Sequence, residues 1–165
     1  MIIPRHPAWI VIIFVTALFS CNKNERPFQL LRSSHTNITF NNLITESDSL
    51  NVLGFEYIYN GSGVGVGDFN NDGLPDIFFG GNMVSSKLYL NKGDFNFEDV
   101  TKSAGVETTL WCTGISLADI NQDGLLDIYI STVHPSENKK SPNLLFVQQG
   151  LNENGIPTFQ EVADQ

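Results

Sequence analysis

The side chains that could do chemistry gather in two stretches of nine residues, 51 positions apart (68 to 119). The first is Asp68-Phe69-Asn70-Asn71-Asp72-Gly73-Leu74-Pro75-Asp76, and the second is Asp119-Ile120-Asn121-Gln122-Asp123-Gly124-Leu125-Leu126-Asp127. Both read D-x-N-x-D-G-x-x-D. Oxygen donors at alternating positions suit a hard cation such as Ca²⁺, which takes about six to eight oxygen ligands. The glycine at the sixth position lets the backbone turn through conformations that a Cβ resists. The same loop twice in one chain also points to a repeat architecture.

An EF-hand needs a bidentate Glu at loop position 12 and a helix on either side. Position 12 is Phe79 in one copy and Ile130 in the other. The EF-hand and the dockerin-type loop both fail there, so Asp76 and Asp127 must close the sites.

The elements that position these loops read as strands. Gly63-Val64-Gly65-Val66-Gly67 precedes the first loop and Gly114-Ile115-Ser116-Leu117-Ala118 the second. Small residues alternating with apolar ones fit a strand packed closely on a neighbour. Ile77-Phe78-Phe79 and Ile128-Tyr129-Ile130 follow the loops, and β-branched and aromatic runs favour strands. Lys87–Asn91 and Asn143–Val147 form a third pair, and Phe95–Val100 and Thr158–Val162 a fourth. The second copy carries inserts at His134–Ser141 and Leu151–Pro157. Each unit is four short strands with one acidic loop, the size of a propeller blade of about 40–50 residues. Before the repeat, Asn37–Phe40 reads as a strand, Asn41–Leu53 as a short helix or loop, and Phe55–Tyr59 as a strand entering the first blade.

The run G-V-G-V-G-D-F-N-N-D-G-L-P-D-I-F-F-G resembles the FG-GAP repeat, also described as the VCBS or integrin-α-type propeller repeat. Phe95–Gly105 fits the "F-x-D-V-T-x-x-A-G" stretch that closes such a blade. The resemblance covers about Asn60 to Val162. It implies an all-β fold: a partial β-propeller of two four-stranded blades with calcium loops, behind a signal peptide. It also implies two Ca²⁺ sites. The first is made by the side chains of Asp68, Asn70, Asp72 and Asp76 with the Leu74 carbonyl. The second is made by Asp119, Asn121, Asp123 and Asp127 with the Leu125 carbonyl. Without metal, the same residues would make Asx-rich turns. Propellers close with about 4–8 blades. Two blades leave apolar edges, and the expectation is the N-terminal piece of a longer protein in preference to self-association.

The domains expected are a lipoprotein signal peptide (1–20), a polar tether (21–34), a lead-in segment (35–60), and blades at 61–107 and 108–165. Arg5 and the apolar Ala8–Phe19 form the signal, too short for a span of about 20 residues. Leu18-Phe19-Ser20-Cys21 resembles a bacterial lipobox, with Cys21 as the lipidated residue. A cleaved signal with an incidental Cys21, or an uncleaved short anchor, are the alternatives. The residues behind Cys21 vaguely resemble the charged export signal of surface lipoproteins. Cys112 is then the remaining cysteine, read as a small buried strand residue, so no internal disulfide staples the domain.

After the signal, eight Lys+Arg face 18 Asp+Glu, a net of −10 (9 − 1 − 18). That balance makes nucleic acid and anionic lipid surfaces poor partners. No nucleophile or acid–base constellation stands out, since His6 lies in the signal and His35 and His134 lie in polar surroundings. Gly61–Gly67 leads into a strand and not a helix, so it is no phosphate loop. Trp111 and Tyr129 could stack on a sugar or pack between sheets. The leading expectation is a non-enzymatic, calcium-binding lipoprotein at the bacterial outer membrane, presenting a surface to a protein or glycan. The alternatives are the non-catalytic part of a polysaccharide-processing enzyme, or a structural subunit of an envelope assembly.

Overall fold

The structure, a computed structural model, describes residues 28–136 and 139–163. The signal segment 1–20, Cys21 and the first residues of the tether lie outside these residues. Every described helix and strand falls within Leu31–Gln165.

Two four-stranded antiparallel sheets follow one another along the chain, an all-β arrangement of propeller-like blades. The first runs in the order β1 (Val64–Gly67), β2 (Asp76–Phe79), β3 (Lys87–Asn91) and β4 (Phe97–Asp99). The second runs β5 (Trp111–Ala118), β6 (Asp127–Val133), β7 (Leu144–Leu151) and β8 (Pro157–Glu161). In both, the acidic loop joins the first two strands, as the flanking patterns require. Val66 pairs with Ile77, and Leu117 with Ile128 at the matching place.

The sheets pack face to face through β1 and β5. Gly67 permits the approach, since a Cβ there would stand 2.5 Å from Leu126 Cδ1. The core between them includes Phe69, Phe78, Leu88, Leu90, Ile128 and Ile130. Cys112 is fully buried on β5, as expected, with Sγ 3.4 Å from Ser86 Oγ. Burial pushes its thiol pKa up, which suits an inert structural cysteine.

Four features differ from the sequence reading. Asn37–Phe40 is not a strand. A single helical turn, α1 (Ser33–Thr36), ends at Asn37 with φ 57°, and the chain then crosses the first sheet with its backbone unpaired to any strand. Phe40 stacks on Phe79 with centroids 5.0 Å apart, and Thr39 N donates to Tyr89 Oη at 3.3 Å. Phe55–Tyr59 is also not a strand but a pair of turns, with Ile58 N bonded to Phe55 O at 3.1 Å. Ile58 is fully buried, and Phe55 meets Trp111 edge to face at 5.3 Å. β4 begins at Phe97, because Asp94 and Phe95 turn with φ of 51° and 56°. A second helical turn, α2 (Thr101–Ala104), follows β4 and stops at Gly105, whose φ is 76°.

The fourth difference is one of register. Asn91 pairs with Phe97, and Gln148 with Phe159. The counterpart of Lys87–Asn91 is therefore Leu144–Gln148, one residue later than the sequence comparison places it.

Candidate metal loops

Each acidic loop folds around its own side chains. Asp68 Oδ1 accepts from Asp72 N at 3.1 Å, and Oδ2 accepts from Gly73 N at 2.8 Å. Asp119 does the same with Asp123 N at 3.0 Å and Gly124 N at 2.8 Å. Asn70 accepts from Asp72 N at 3.2 Å and donates to Asp72 Oδ2 at 2.9 Å. Asn121 repeats both with Asp123, at 3.1 and 2.8 Å. Asp72 Oδ1 accepts from Leu74 N at 2.8 Å, and Asp123 Oδ1 from Leu125 N at 2.9 Å. These are Asx-type bonds, in which a short carboxylate or amide satisfies backbone N–H groups a few residues on.

The backbone conformations repeat as well. Gly73 and Gly124 have φ of 85° and 84°, and Asn71 and Gln122 have φ of 55° and 63°. A glycine at the sixth position was legible in the sequence. The left-handed fourth position was not, because Asn71 suits it and Gln122 does not advertise it.

Asp76 and Asp127 behave differently from the other carboxylates, since both are fully buried. Asp76 Oδ2 accepts from Phe69 N and Oδ1 from Asn91 N, each at 2.8 Å. Asp127 Oδ2 accepts from Ile120 N and Oδ1 from Gln148 N, each at 2.9 Å. The ninth residue thus clamps its loop to the third strand of its sheet. Asn91 and Gln148 belong to this arrangement, and sequence reasoning passed over them. The available signal was a polar residue in the same place of two apolar strands, hidden by the one-residue slip in register. Burial raises the Asp76 pKa; the N–H groups of Asn91 and Phe69 oppose this, and the charges of Asp72 and Asp68 add to it.

The donor set is that of a hard cation: carboxylates, an amide oxygen and backbone carbonyls, with no sulfur or imidazole. Each oxygen of Asp68 and Asp72 accepts a single hydrogen bond. An ionised carboxylate offers about four lone-pair sites, so acceptor capacity remains at both residues. Among the described residues, no three His, Cys, Asp or Glu side chains stand gathered as a metal-binding group. The residues fit Ca²⁺ by chemistry, in loops already held by hydrogen bonds.

Tyr129 sits partly exposed on β6, and Trp111 is buried against Phe55. The two stand apart along the β5–β6 pair, Trp111 opposite Val133 and Tyr129 opposite Ser116, and Trp111 is taken up by its contact with Phe55.

Two successive four-stranded meanders, each with an Asx-built acidic loop between its first two strands, define a propeller-type repeat protein. Residues 68–130 match the family described as FG-GAP-like repeat, and this part of the chain is an FG-GAP-like repeat. It is similar to cartilage acidic protein 1 of Xenopus tropicalis, 32% identical over 146 residues, covering 87% of this chain and 21% of that protein. It is also similar to cartilage acidic protein 1 of Homo sapiens, 33% identical over 104 residues, covering 62% of this chain and 14% of that protein. The Mus musculus protein of the same name is 32% identical over 104 residues, covering 62% and 15%. The chain therefore spans about a fifth or less of the length of these relatives.

Proposed function

We propose that this chain is a non-enzymatic, calcium-stiffened propeller-repeat module that presents a surface to a protein or glycan. The observation that carries the reading is the group-for-group repetition of the acidic loop. Ten hydrogen bonds, five per copy, agree to within about a tenth of an ångström. In each copy the two outer Asp and the Asn keep spare acceptor capacity, and the buried ninth Asp fixes the loop to the sheet. A cation seated among Asp68, Asn70, Asp72, the Leu74 carbonyl and Asp76 would neutralise crowded charge and hold β1 and β2 in register. Asp119, Asn121, Asp123, the Leu125 carbonyl and Asp127 would do so for β5 and β6.

In this reading, Cys21 carries a lipid that holds the module at the bacterial outer membrane. Its support is the sequence Leu18-Phe19-Ser20-Cys21. Incorporation of labelled fatty acid should be lost in Cys21→Ala.

The deciding experiment is thermal unfolding of the full chain in chelator and in about 10 mM Ca²⁺. Extracellular calcium modules bind with Kd of about 10⁻⁴–10⁻³ M, so each site should add roughly 1.4–2.7 kcal/mol. Asp72→Ala and Asp123→Ala should each remove one site's share of the rise. A melting temperature indifferent to Ca²⁺ would sink the metal assignment.

A further inference from the structure

Four glycines of this chain follow an Asn or an Asp: Gly61 after Asn60, Gly73 after Asp72, Gly124 after Asp123 and Gly155 after Asn154. Such a step can close on itself. A glycine has no Cβ to shield its N–H, so the nitrogen can reach the preceding side-chain carbonyl carbon and form a five-membered ring. An N–H already committed to an acceptor is held away from that carbon. Gly73 N donates to Asp68 Oδ2 and Gly124 N to Asp119 Oδ2, each at 2.8 Å. Gly155 N donates to Asn152 O at 2.9 Å. Among the described residues, the Gly61 N–H donates to none.

The two Asn–Gly steps make a controlled comparison. Asn60, Gly61, Asn154 and Gly155 are all exposed. Gly61 and Gly155 have φ of 77° and 72°, and neither has an atom within 4 Å of the place a Cβ would take. The steps share exposure, backbone conformation and open space, and they differ in whether the glycine N–H is engaged. The Asn60–Gly61 link also stands between two anchors. Ile58 is fully buried, and Ser62 is buried with its hydroxyl donating to the Gly80 carbonyl.

From this difference we infer that Asn60 is a site of spontaneous covalent modification, deamidation through a succinimide. The Gly61 nitrogen attacks Asn60 Cγ, a C–N bond forms, and the carboxamide nitrogen leaves as ammonia with the proton of the Gly61 N–H. Water then adds to either carbonyl of the ring and opens it to an aspartyl or an isoaspartyl residue. One water is consumed and one ammonia released, and no oxidant or reductant takes part. Either product brings a carboxylate to a cavity of about 260 Å³ whose lining, which includes Phe55, Tyr57, Trp111 and Thr113, carries no charged side chain. The isoaspartyl product also adds one carbon to the main chain between Ile58 and Ser62, at the entry to β1. The reaction needs only Asn60, Gly61 and water, so it is independent of the calcium reading.

Ageing the full chain in mildly alkaline buffer, followed by digestion and mass spectrometry of the peptides, tests it. The peptide holding Asn60 should gain the amide-to-acid mass difference on the order of tenfold faster than the peptide holding Asn154, which reacts only when its turn opens. The product should separate into two species of equal mass, aspartyl and isoaspartyl. In denaturing urea, where both glycine N–H groups are free, the two rates should converge. Asn60→Gln should abolish conversion at that position and leave conversion at Asn154 unchanged. Equal rates in the folded chain, or a faster reaction at Asn154, would overturn the proposal. So would silence at both positions in the folded chain with conversion at both in urea, by showing that the Gly61 N–H is held in solution.

Discussion

The side-chain amide of Gln148 donates to the carbonyl of Phe69 at 2.9 Å, joining the third strand of the second sheet to the acidic loop of the first. Its backbone N–H bonds Asp127 at 2.9 Å. One residue therefore holds its own loop by the main chain and the neighbouring loop by the side chain. Asn91, its counterpart, is one methylene shorter, and its amide donates to the Pro75 carbonyl of its own loop instead, at 3.1 Å. Gln148→Asn should keep the bond to Asp127 and lose the one to Phe69. A buried carbonyl left without a partner costs about 1–3 kcal/mol. Urea unfolding should show a lower midpoint with an unchanged slope. An unchanged midpoint would mean that the Phe69 carbonyl finds another donor.

The two classes of loop carboxylate should separate cleanly in chelator. Asp127 is fully buried and accepts two backbone N–H groups, whereas Asp123 is exposed. Asp127→Ala orphans the N–H groups of Ile120 and Gln148 and should cost about 3–5 kcal/mol with no metal present. Asp123→Ala should cost less than about 1 kcal/mol there, and show its larger effect only when Ca²⁺ is added. Equal losses in chelator would contradict the clamp assigned to the ninth residue.

Gln122 holds φ at 63° where the first loop has Asn71 at 55°. A left-handed conformation strains most residues by about 1–2 kcal/mol and asparagine by less. Gln122→Asn should therefore raise stability by about 0.5–1 kcal/mol, and Asn71→Gln should lower it by a similar amount. Melting temperatures measured in chelator read this backbone term apart from any cation.

The loops and the strands beside them were legible because their physics is local. Asp, Asn and Gly at fixed spacing make turns, and alternating or β-branched runs make strands, whatever the rest of the chain does. The segments before Gly61 were misread for the opposite reason. Phe40 and Phe55 look like strand residues, yet their rings are drawn to Phe79 on the first sheet and Trp111 on the second, and their backbones pair with no strand of either. The clamp donors Asn91 and Gln148 were hidden because their meaning lies across the sheet, in hydrogen bonds to residues 15 and 21 positions away.

The Lys87–Asp99 pair sets the last prediction, on pH. Burial disfavours the charged form of Asp99, but hydrogen bonds from the Thr101 hydroxyl, the Lys87 ammonium and the Thr101 N–H outweigh it, and the pKa falls below its usual value of 3.8. The ammonium lies 2.9 Å from Asp99 Oδ2, and the Thr101 hydroxyl also accepts from Leu88 N at 3.0 Å. A depressed carboxylate contributes stability that is present above its unfolded pKa and is lost as pH falls through the folded value. The pair is more than a third exposed on the Asp99 side, so solvent screening holds its share to under about 1 kcal/mol. Asp99→Asn should be less stable than wild type at pH 7, and the gap should close as pH is lowered below 3.8. Urea titrations at a series of pH values read this directly. A gap that is constant with pH would assign the loss to the Thr101 hydrogen bonds and not to the charge.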